Sequence, residues 1–83
     1  MRLQEAVGDT LRQIRQEQGL TLRDVSRRSH ISIGHLSEVE MGKKGVSFDL
    51  LDVVANGLNI TTADLMKEVH DYLKVVETWE DDE

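Results

Sequence analysis

Apolar residues near the start of the chain recur at the spacing of one helix face. The gaps between them are four, four and three residues, which is the period expected of an amphipathic α-helix. These residues are Leu3, Val7, Leu11 and Ile14. Gly19 follows them and suits the left-handed conformation that ends many helices. The pattern therefore predicts a first helix over about residues 3–18.

Two short helices are predicted between Gly19 and Gly42. Thr21 is suited to cap the second helix, and Asp24 three residues later gives a pattern close to a capping box. We expect this second helix to end near residue 29 or 30. After a short turn, Ser32 is expected to cap a third helix, which ends at Gly42.

Two longer amphipathic segments complete the chain. Ser47 is expected to cap a fourth helix, and Thr61 or Thr62 to open a fifth. The apolar positions of the fourth helix are Leu50, Leu51, Val54, Ala55 and Leu58, and those of the fifth are Leu65, Val69, Tyr72, Val76 and Trp79. The chain is thus predicted to be all-α, with five helices of which the C-terminal one is extended.

Composition narrows the classes of protein that fit. The 83 residues suffice for one small domain, and the absence of cysteine excludes disulfides and thiolate zinc sites. No apolar run approaches the ~20 residues that span a bilayer, so we expect a cytoplasmic protein with no membrane segment. His30, His35 and His70 lie at spacings that match no metal-ligand motif.

Nothing in the sequence predicts catalysis. Ser37 has no histidine and aspartate partners at the spacing of a catalytic triad, and a chain this short offers no deep pocket. Gly42 and Gly45 lack the strand and loop of a phosphate-binding motif. We therefore expect no enzyme activity, no cofactor, no metal and no small-molecule ligand.

Charge is distributed unevenly along the chain. The net charge of −6 is unusual for a protein that binds nucleic acid. Residues 67–83 hold two basic and seven acidic residues, however, whereas residues 12–44 hold seven basic and four acidic ones. Charges beyond ~8 Å are screened at physiological salt, so the local charge matters more than the total. The basic middle of the chain is therefore compatible with nucleic-acid binding.

The third helix carries short side chains on its outer face. Leu36 and Val39 are expected to pack inward, and the remaining narrow face can enter the major groove of DNA, which is ~12 Å wide. The candidate base contacts are Ile33, Gly34, Ser37 and Glu38. The candidate phosphate contacts, which would position the helix, are Arg23, Ser32, His35, Lys43 and Lys44.

Several of these residues also have an ordinary structural interpretation that involves no DNA contact. Glu38 suits hydrogen bonding to cytosine, or it is an exposed charge that pairs with the preceding arginines. Ile33 suits either a thymine methyl group or helix packing, and Gly34 either close approach to DNA or a turn. His35 is a phosphate or groove contact, or simply exposed.

The run from Gly19 to Lys44, GLTLRDVSRRSHISIGHLSEVEMGKK, resembles the Cro/phage-repressor-like helix-turn-helix family, often called the Xre family. Further positions that match its spacing are Ser47, Ala55, Leu58 and Ile60. The resemblance covers about residues 7–66 and implies a five-helix repressor-like domain that binds double-stranded DNA and regulates transcription. Within the family, RDVS and IGHLSEVEMGKK are most similar to the actinobacterial Clp gene regulators, which activate protease genes.

Two positions depart from the family pattern, and a third matches a glutamate that faces the interior in the family. Leu22 stands where the family often has a glutamine that contacts phosphate, so Arg23 or the backbone must replace that contact. Val46 stands where the family often has a proline, so the loop before the fourth helix is less rigid. Glu40 matches the family's inward-facing glutamate, which implies a structural role.

The fifth helix predicts a homodimer. One monomer reads too few base pairs for useful specificity, whereas a dimer reads two half-sites of a pseudo-palindromic operator one helical turn apart. Much of the apolar stripe has no evident use in its own domain, and its exposure would be a liability on a monomer. The predicted interface residues are Phe48, Val69, Tyr72, Leu73, Val76 and Trp79. Residues 1–66 would then bind DNA, and residues 67–83 would form a dimerisation helix with an acidic tail.

Two other interpretations remain open on the sequence. The fifth helix could fold back on its own domain instead of pairing with a second copy. The chain could also be an antitoxin or another protein-interaction module of the same fold, because an acidic protein suits a basic partner. The acidic end at residues 80–83 is read as a solvated tail, with a partner-binding or self-inhibiting role as the alternative.

Overall fold

The structure, a computed structural model, describes residues 1–81, and this range contains five α-helices. They are α1 (Leu3–Glu17), α2 (Leu22–Ser29), α3 (Ile33–Glu40), α4 (Phe48–Gly57) and α5 (Thr62–Asp81). The prediction of an all-α chain with a long last helix is confirmed. From position 82 onward, the predicted acidic tail lies outside the described residues.

Helices α2 to α5 begin at hydroxyl residues that cap them. The Thr21 hydroxyl accepts a hydrogen bond from the Asp24 amide at 3.1 Å, and the Asp24 carboxylate accepts one from the Thr21 amide at 2.8 Å. This reciprocal pair is the capping box that the sequence suggested. Ser32, Ser47 and Thr61 each accept a hydrogen bond from the amide three residues later.

Glycines in the left-handed conformation follow α1 and α3. Gly19 has a φ of 71° and Gly42 a φ of 70°, values that residues with a side chain adopt at a cost. Helix α3 ends two residues before its predicted end, at Glu40, with Met41 as its C-cap and the glycine next.

A single apolar core lies between the five helices. Its buried members are Val7, Leu11, Ile14, Val25, Ile31, Leu36, Val39, Leu51, Val54, Ala55, Leu58, Leu65 and Val69. Leu3 belongs to the predicted stripe of α1 but is 61% exposed, because it lies in the first turn, beyond the end of this core. Within residues 1–81, no helix has both the length and the apolar character needed to cross a bilayer.

Helix α5 runs antiparallel along α1. Its Tyr72 hydroxyl donates a hydrogen bond to the Asp9 carboxylate at 2.5 Å, and the Met1 amino group lies 2.8 Å from a carboxylate oxygen of Glu80. Near the other end, Lys67 lines the same shallow depression as Gln18, the C-cap of α1. The last helix is therefore held against the first over most of its length.

This packing corrects the predicted dimer interface. Val69 is 6% exposed and lies in the core, so its assignment to an exposed interface is wrong. Leu73 packs against the same core, and Tyr72 is bonded to α1, so both have a use within their own domain. Phe48 and Trp79 are 88% and 74% exposed, as an interface would require before it forms.

Candidate nucleic-acid interface

The turn between α2 and α3 is fixed from both sides. His30 has a φ of 60°, which reverses the chain direction directly after α2. The Ser26 hydroxyl then donates a hydrogen bond to the Ile31 carbonyl at 2.6 Å, and the Ile31 side chain is buried in the core. These contacts hold α2 and α3 at one mutual angle, which a groove-reading pair of helices requires.

Helix α3 lies directly against α1. Gly8 of α1 is buried, and a β-carbon added there would meet the Glu40 carbonyl oxygen at 2.9 Å and that of Val39 at a still shorter distance. The backbones of the two helices therefore touch at the C-terminal end of α3. Leu36 and Val39 face the core from the same helix, as predicted, which leaves its opposite side to the solvent.

A partly buried ion pair joins α3 to α1. The Arg15 guanidinium donates to both carboxylate oxygens of Glu40, at 2.7 Å and 3.0 Å. A third N–H of Arg15 donates to the Leu20 carbonyl at 2.8 Å, which secures the turn before α2. The hydrogen bond to Glu40 raises the pKa of Arg15. The structural role expected for Glu40 is therefore confirmed, whereas its partner was not foreseen.

The first turn of α3 is open to solvent. Ile33 is 40% exposed, and a methyl group at Gly34 would meet no atom within 4 Å. One turn later, Ser37 is half-buried. The first turn of α3 is therefore exposed within residues 1–81, and Gly34 and Ser37 keep this side of the helix narrow, as the sequence predicted.

Glu38 lies on the same helix and forms an ion pair with Lys44. Its carboxylate is 3.6 Å from the Lys44 ammonium, not paired with the arginines of α2 as the alternative reading suggested. The Lys43 amide also donates to the Glu38 carbonyl at 2.9 Å, so the loop after α3 folds back onto the helix. This contact places Lys43 and Lys44 beside the C-terminal end of α3.

The other phosphate candidates lie at the start of α2, at the start of α3 and in the loop after α3. Arg23 is exposed in the first turn of α2, and Lys43 is exposed after α3. The Ser32 hydroxyl accepts from the His35 amide at 3.1 Å, and a hydroxyl that accepts can still donate its own proton. Capping therefore does not prevent Ser32 from contacting a phosphate.

The Arg28 side chain is directed towards α4. Its guanidinium lies 3.5 Å from the Gly57 carbonyl at the end of α4, so it braces α2 against that helix. Asp24 at the start of α2 has a lowered pKa, chiefly because the Thr21 backbone and hydroxyl hydrogen-bond to its carboxylate. Of the basic residues in α2, Arg23 is the one that lies in the first turn, and it is exposed.

Gln4 is a contact that the sequence did not reveal. Its side-chain amide donates to the Gly42 carbonyl at 2.6 Å, which fixes the loop that carries Lys43 and Lys44. The two residues are 38 positions apart, so no local pattern could have connected them. Gln4 thereby positions two candidate phosphate contacts without lying beside them in sequence.

Comparisons with known proteins give the family. A family model described as a helix-turn-helix domain matches residues 6–68. The transcriptional regulator ClgR of Mycobacterium tuberculosis is 45% identical over 58 residues, which are 70% of this chain and 52% of that protein. The regulator DdrOP3 of Deinococcus deserti is 38% identical over 64 residues, 77% of this chain and 50% of that protein. The chain thus spans about half the length of these curated relatives.

Solved structures agree with this placement. The crystal structure of the clp gene regulator ClgR from Corynebacterium glutamicum superimposes with a TM-score of 0.89 at 38% identity, covering 98% of this chain and 86% of that one. The restriction-modification controller protein C.Esp1396I, solved as a tetramer on its natural 35-base-pair operator, gives 0.84 at 19% identity over 88% and 96%, a likeness of fold alone. The chain therefore belongs to the helix-turn-helix domain family and is similar to the Clp gene regulators.

Proposed function

We propose that this protein is a sequence-specific regulator of transcription that reads the major groove of DNA with the outer face of α3. The observation that carries the proposal is the combination of an open first turn of α3 with a rigid attachment of the same helix at its other end. The Arg15–Glu40 pair and the Gly8 contact hold that end. A helix presented in this way can enter the groove without losing its own support.

Each candidate contact residue has a role in this proposal. The base contacts are Ile33, Gly34, Ser37 and Glu38, and the phosphate contacts are Arg23, Ser32, His35, Lys43 and Lys44. Phosphate contacts fix the register of the helix and supply most of the salt-dependent affinity, whereas base contacts supply the discrimination. The acidic α5 carries no proposed DNA contact.

The proposed active form is a homodimer on a pseudo-palindromic operator. Phe48, Val76 and Trp79 remain from the predicted interface, since Val69 belongs to the core. The similarity to proteins named as clp gene regulators supports clp genes as the targets, and activation of those genes is part of the proposal. The operator of C.Esp1396I, bound by a tetramer, supports DNA as the ligand of this fold.

Selection from a random DNA pool tests the proposal directly. The full chain should enrich one motif, and its affinity should fall steeply with salt. Lys43→Ala should weaken binding to every sequence and reduce the slope of log K against log salt by ~1. Lys67→Ala makes the same change in charge on α5, away from α3, and serves as the control.

The outcomes separate clearly. A single enriched motif with a salt slope that falls for Lys43→Ala alone supports the proposal. A pool that enriches nothing, or an equal loss of slope in both variants, contradicts groove reading by α3.

A further inference from the structure

Helix α2 presents two arginines to the solvent. Arg23 and Arg27 are both exposed, and their spacing of four residues places them one turn apart on one side of the helix, about 6 Å along its axis. Within residues 1–81, the structure shows no ion pair for either guanidinium. We call these two side chains the α2 arginine edge. Of the two, only Arg23 is among the phosphate contacts proposed above.

The direction of this edge follows from the contacts of the residues around it. Val25 and Ser29 are buried and mark the inner side of α2. The Ser26 hydroxyl donates to a carbonyl of the turn before α3 at 2.6 Å, so it marks the side next to α3. Arg28 marks the side next to α4, because its guanidinium lies 3.5 Å from a carbonyl at the end of that helix. Successive residues rotate by about 100°, so the arginine edge lies on the outer side of α2, nearer to α3 than to α4.

The one acidic residue of α2 is bound elsewhere. The Asp24 carboxylate accepts a hydrogen bond from the Thr21 amide at 2.8 Å, at the start of the helix. A carboxylate at this position complements the positive end of the helix dipole. Within residues 1–81, Asp24 forms no ion pair with the arginine edge. Both guanidinium groups are therefore available to an anionic ligand.

We propose that Arg27 is a further phosphate contact, and that the α2 arginine edge binds neighbouring phosphates of the DNA strand that borders the groove occupied by α3. This inference rests on the groove reading proposed above and adds a residue that positions α2. The major groove is ~12 Å wide and a helix with its side chains is ~10–12 Å across, so α3 fills it. The axes of packed helices are ~8–10 Å apart, so α2 lies over the border of the groove, where the phosphates are.

Two contacts on α2 restrain its orientation, which a single contact leaves free to rotate. The bond between Ser26 and the Ile31 carbonyl holds the turn between α2 and α3. An orientation imposed on α2 by the phosphates is therefore passed to α3 and its base contacts. Arginine suits this role, because its planar fork of N–H donors matches two oxygens of one phosphate and its charge does not depend on physiological pH.

The salt dependence of binding tests the charge contact. Arg27→Ala should weaken binding to every duplex and reduce the slope of log K against log salt by ~0.9, the value for one phosphate. Arg27→Lys should retain the slope, because it keeps the charge, and lose affinity with the fork. Arg28→Ala removes the same charge from the next residue, on the side next to α4, and should keep the slope. The probes are a labelled duplex of random sequence and the duplex enriched by selection, and circular dichroism checks the fold of each variant.

Uncharged methylphosphonates, placed singly in the enriched duplex, locate the contact. At the phosphate that Arg27 binds, this replacement should weaken binding of the unaltered chain but not of Arg27→Ala, because that variant has already lost the contact. Arg23→Ala should become insensitive at a neighbouring position of the same strand. A purely structural role of Arg27 would lower affinity without removing the sensitivity at any one phosphate.

Two results would overturn the inference. One is an unchanged salt slope for Arg27→Ala together with the methylphosphonate profile of the unaltered chain, which would leave the arginine edge to another ligand, such as an acidic protein surface. The other is an equal loss of slope in Arg27→Ala and Arg28→Ala, which would reflect the overall charge of α2. In both cases, a reduced slope for Lys43→Ala would still support groove reading by α3, so failure of the inference is distinguishable from failure of the proposed function.

Discussion

Gly34 occupies a helical position at which a methyl group would meet empty space. Because glycine costs a helix interior roughly 0.5–1 kcal/mol relative to alanine, Gly34→Ala should raise the free energy of unfolding by up to about 0.5 kcal/mol near this helix end. The same methyl group should lower DNA affinity severalfold if the backbone approaches the bases. Urea denaturation and a DNA titration followed by anisotropy measure the two effects.

The matched glycine is Gly8, where the added β-carbon would collide with backbone carbonyls of α3. Gly8→Ala should destabilise the domain by about 1–3 kcal/mol, the usual cost of overpacking. Opposite changes in stability from the same substitution therefore distinguish a surface position from a packing position. Higher stability of Gly34→Ala with unchanged DNA affinity would exclude Gly34 from the interface.

Glu38 combines a possible base contact with a restraint on Lys44, 3.6 Å away. Glu38→Ala removes a carboxylate near the DNA backbone and frees that lysine. We expect weaker discrimination at one or two operator positions together with tighter binding to random DNA. Glu68→Ala, the same change on α5, is the control, and selection from a random pool measures the result. An unaltered motif would show that Glu38 reads no base.

Tyr72 has a pKa raised to about 12, because its hydroxyl donates to the Asp9 carboxylate. The unfolded value is about 10, so folding favours the protonated phenol. The stability from this contact is complete below pH ~10 and is lost as pH rises through the folded pKa. Tyr72 is the only tyrosine, so tyrosinate absorbance of the folded protein reports it alone.

Asp9→Asn should bring that pKa back towards its ordinary value, since the acceptor loses its charge. Tyr72→Phe should lower the free energy of unfolding at neutral pH by about 1 kcal/mol and flatten the alkaline loss of stability. Titration of the unaltered protein near pH 10 would contradict the hydrogen bond.

At the scale of the helices, the position of α3 depends on α1. Glu40→Ala leaves the Arg15 guanidinium, whose side chain is 14% exposed, without its partner. The pair is only partly buried, so its loss should cost less than the about 3–5 kcal/mol of a fully buried pair but more than the about 1 kcal/mol of an exposed one, as chemical denaturation will measure. DNA affinity should also fall at temperatures where the variant is folded, because α3 is no longer held at its buried end.

Arg12→Ala is the matched control for that experiment. Arg12 and Asp9 form an exposed pair at 3.3 Å within α1, and such pairs contribute about 0–1 kcal/mol. Equal losses of stability in the two variants would show that the Arg15–Glu40 pair has no special structural role.

The caps and periods of the helices were predictable because they depend on neighbours in sequence. Thr21, Ser32 and Ser47 bond to amides three residues away, and the inward residues of each helix follow its period. The sequence could not show which helices meet, because the contacts that decide it are remote. The Arg15–Glu40 pair spans 25 positions and the Gln18 bond to the Leu58 carbonyl spans 40.

The same limit explains the errors in α5. Periodicity placed Val69, Tyr72 and Trp79 on one stripe, but only the path of α1 decides which of them it covers. Asp9 pairs with Tyr72 across 63 positions, so the inner part of the stripe is used within the domain. The candidate base contacts were visible because they lie on one short helix, whereas Gln4 and Arg15, which position that helix and its loop, were not.

At the scale of the whole molecule, the proposed homodimer would fix the distance between two copies of α3. A rigid dimer should prefer half-sites that lie on one face of the double helix. Inserting ~5 base pairs between half-sites should therefore weaken binding far more than inserting ~10, which restores the face. Gel-shift titrations with the spacer series measure this, and equal affinity for all spacers would contradict a rigid dimer.

The pairing of α1 with α5 also sets an order of assembly. Closing a chain segment costs more conformational entropy as the segment lengthens, and the Tyr72–Asp9 bond encloses 63 positions. During synthesis, α1 emerges long before α5 exists to cover it, so the inner faces of α1 to α4 must wait for the last helix. Local opening should begin from the same end, and amide hydrogens in the last turns of α5 should exchange with solvent fastest in the free monomer.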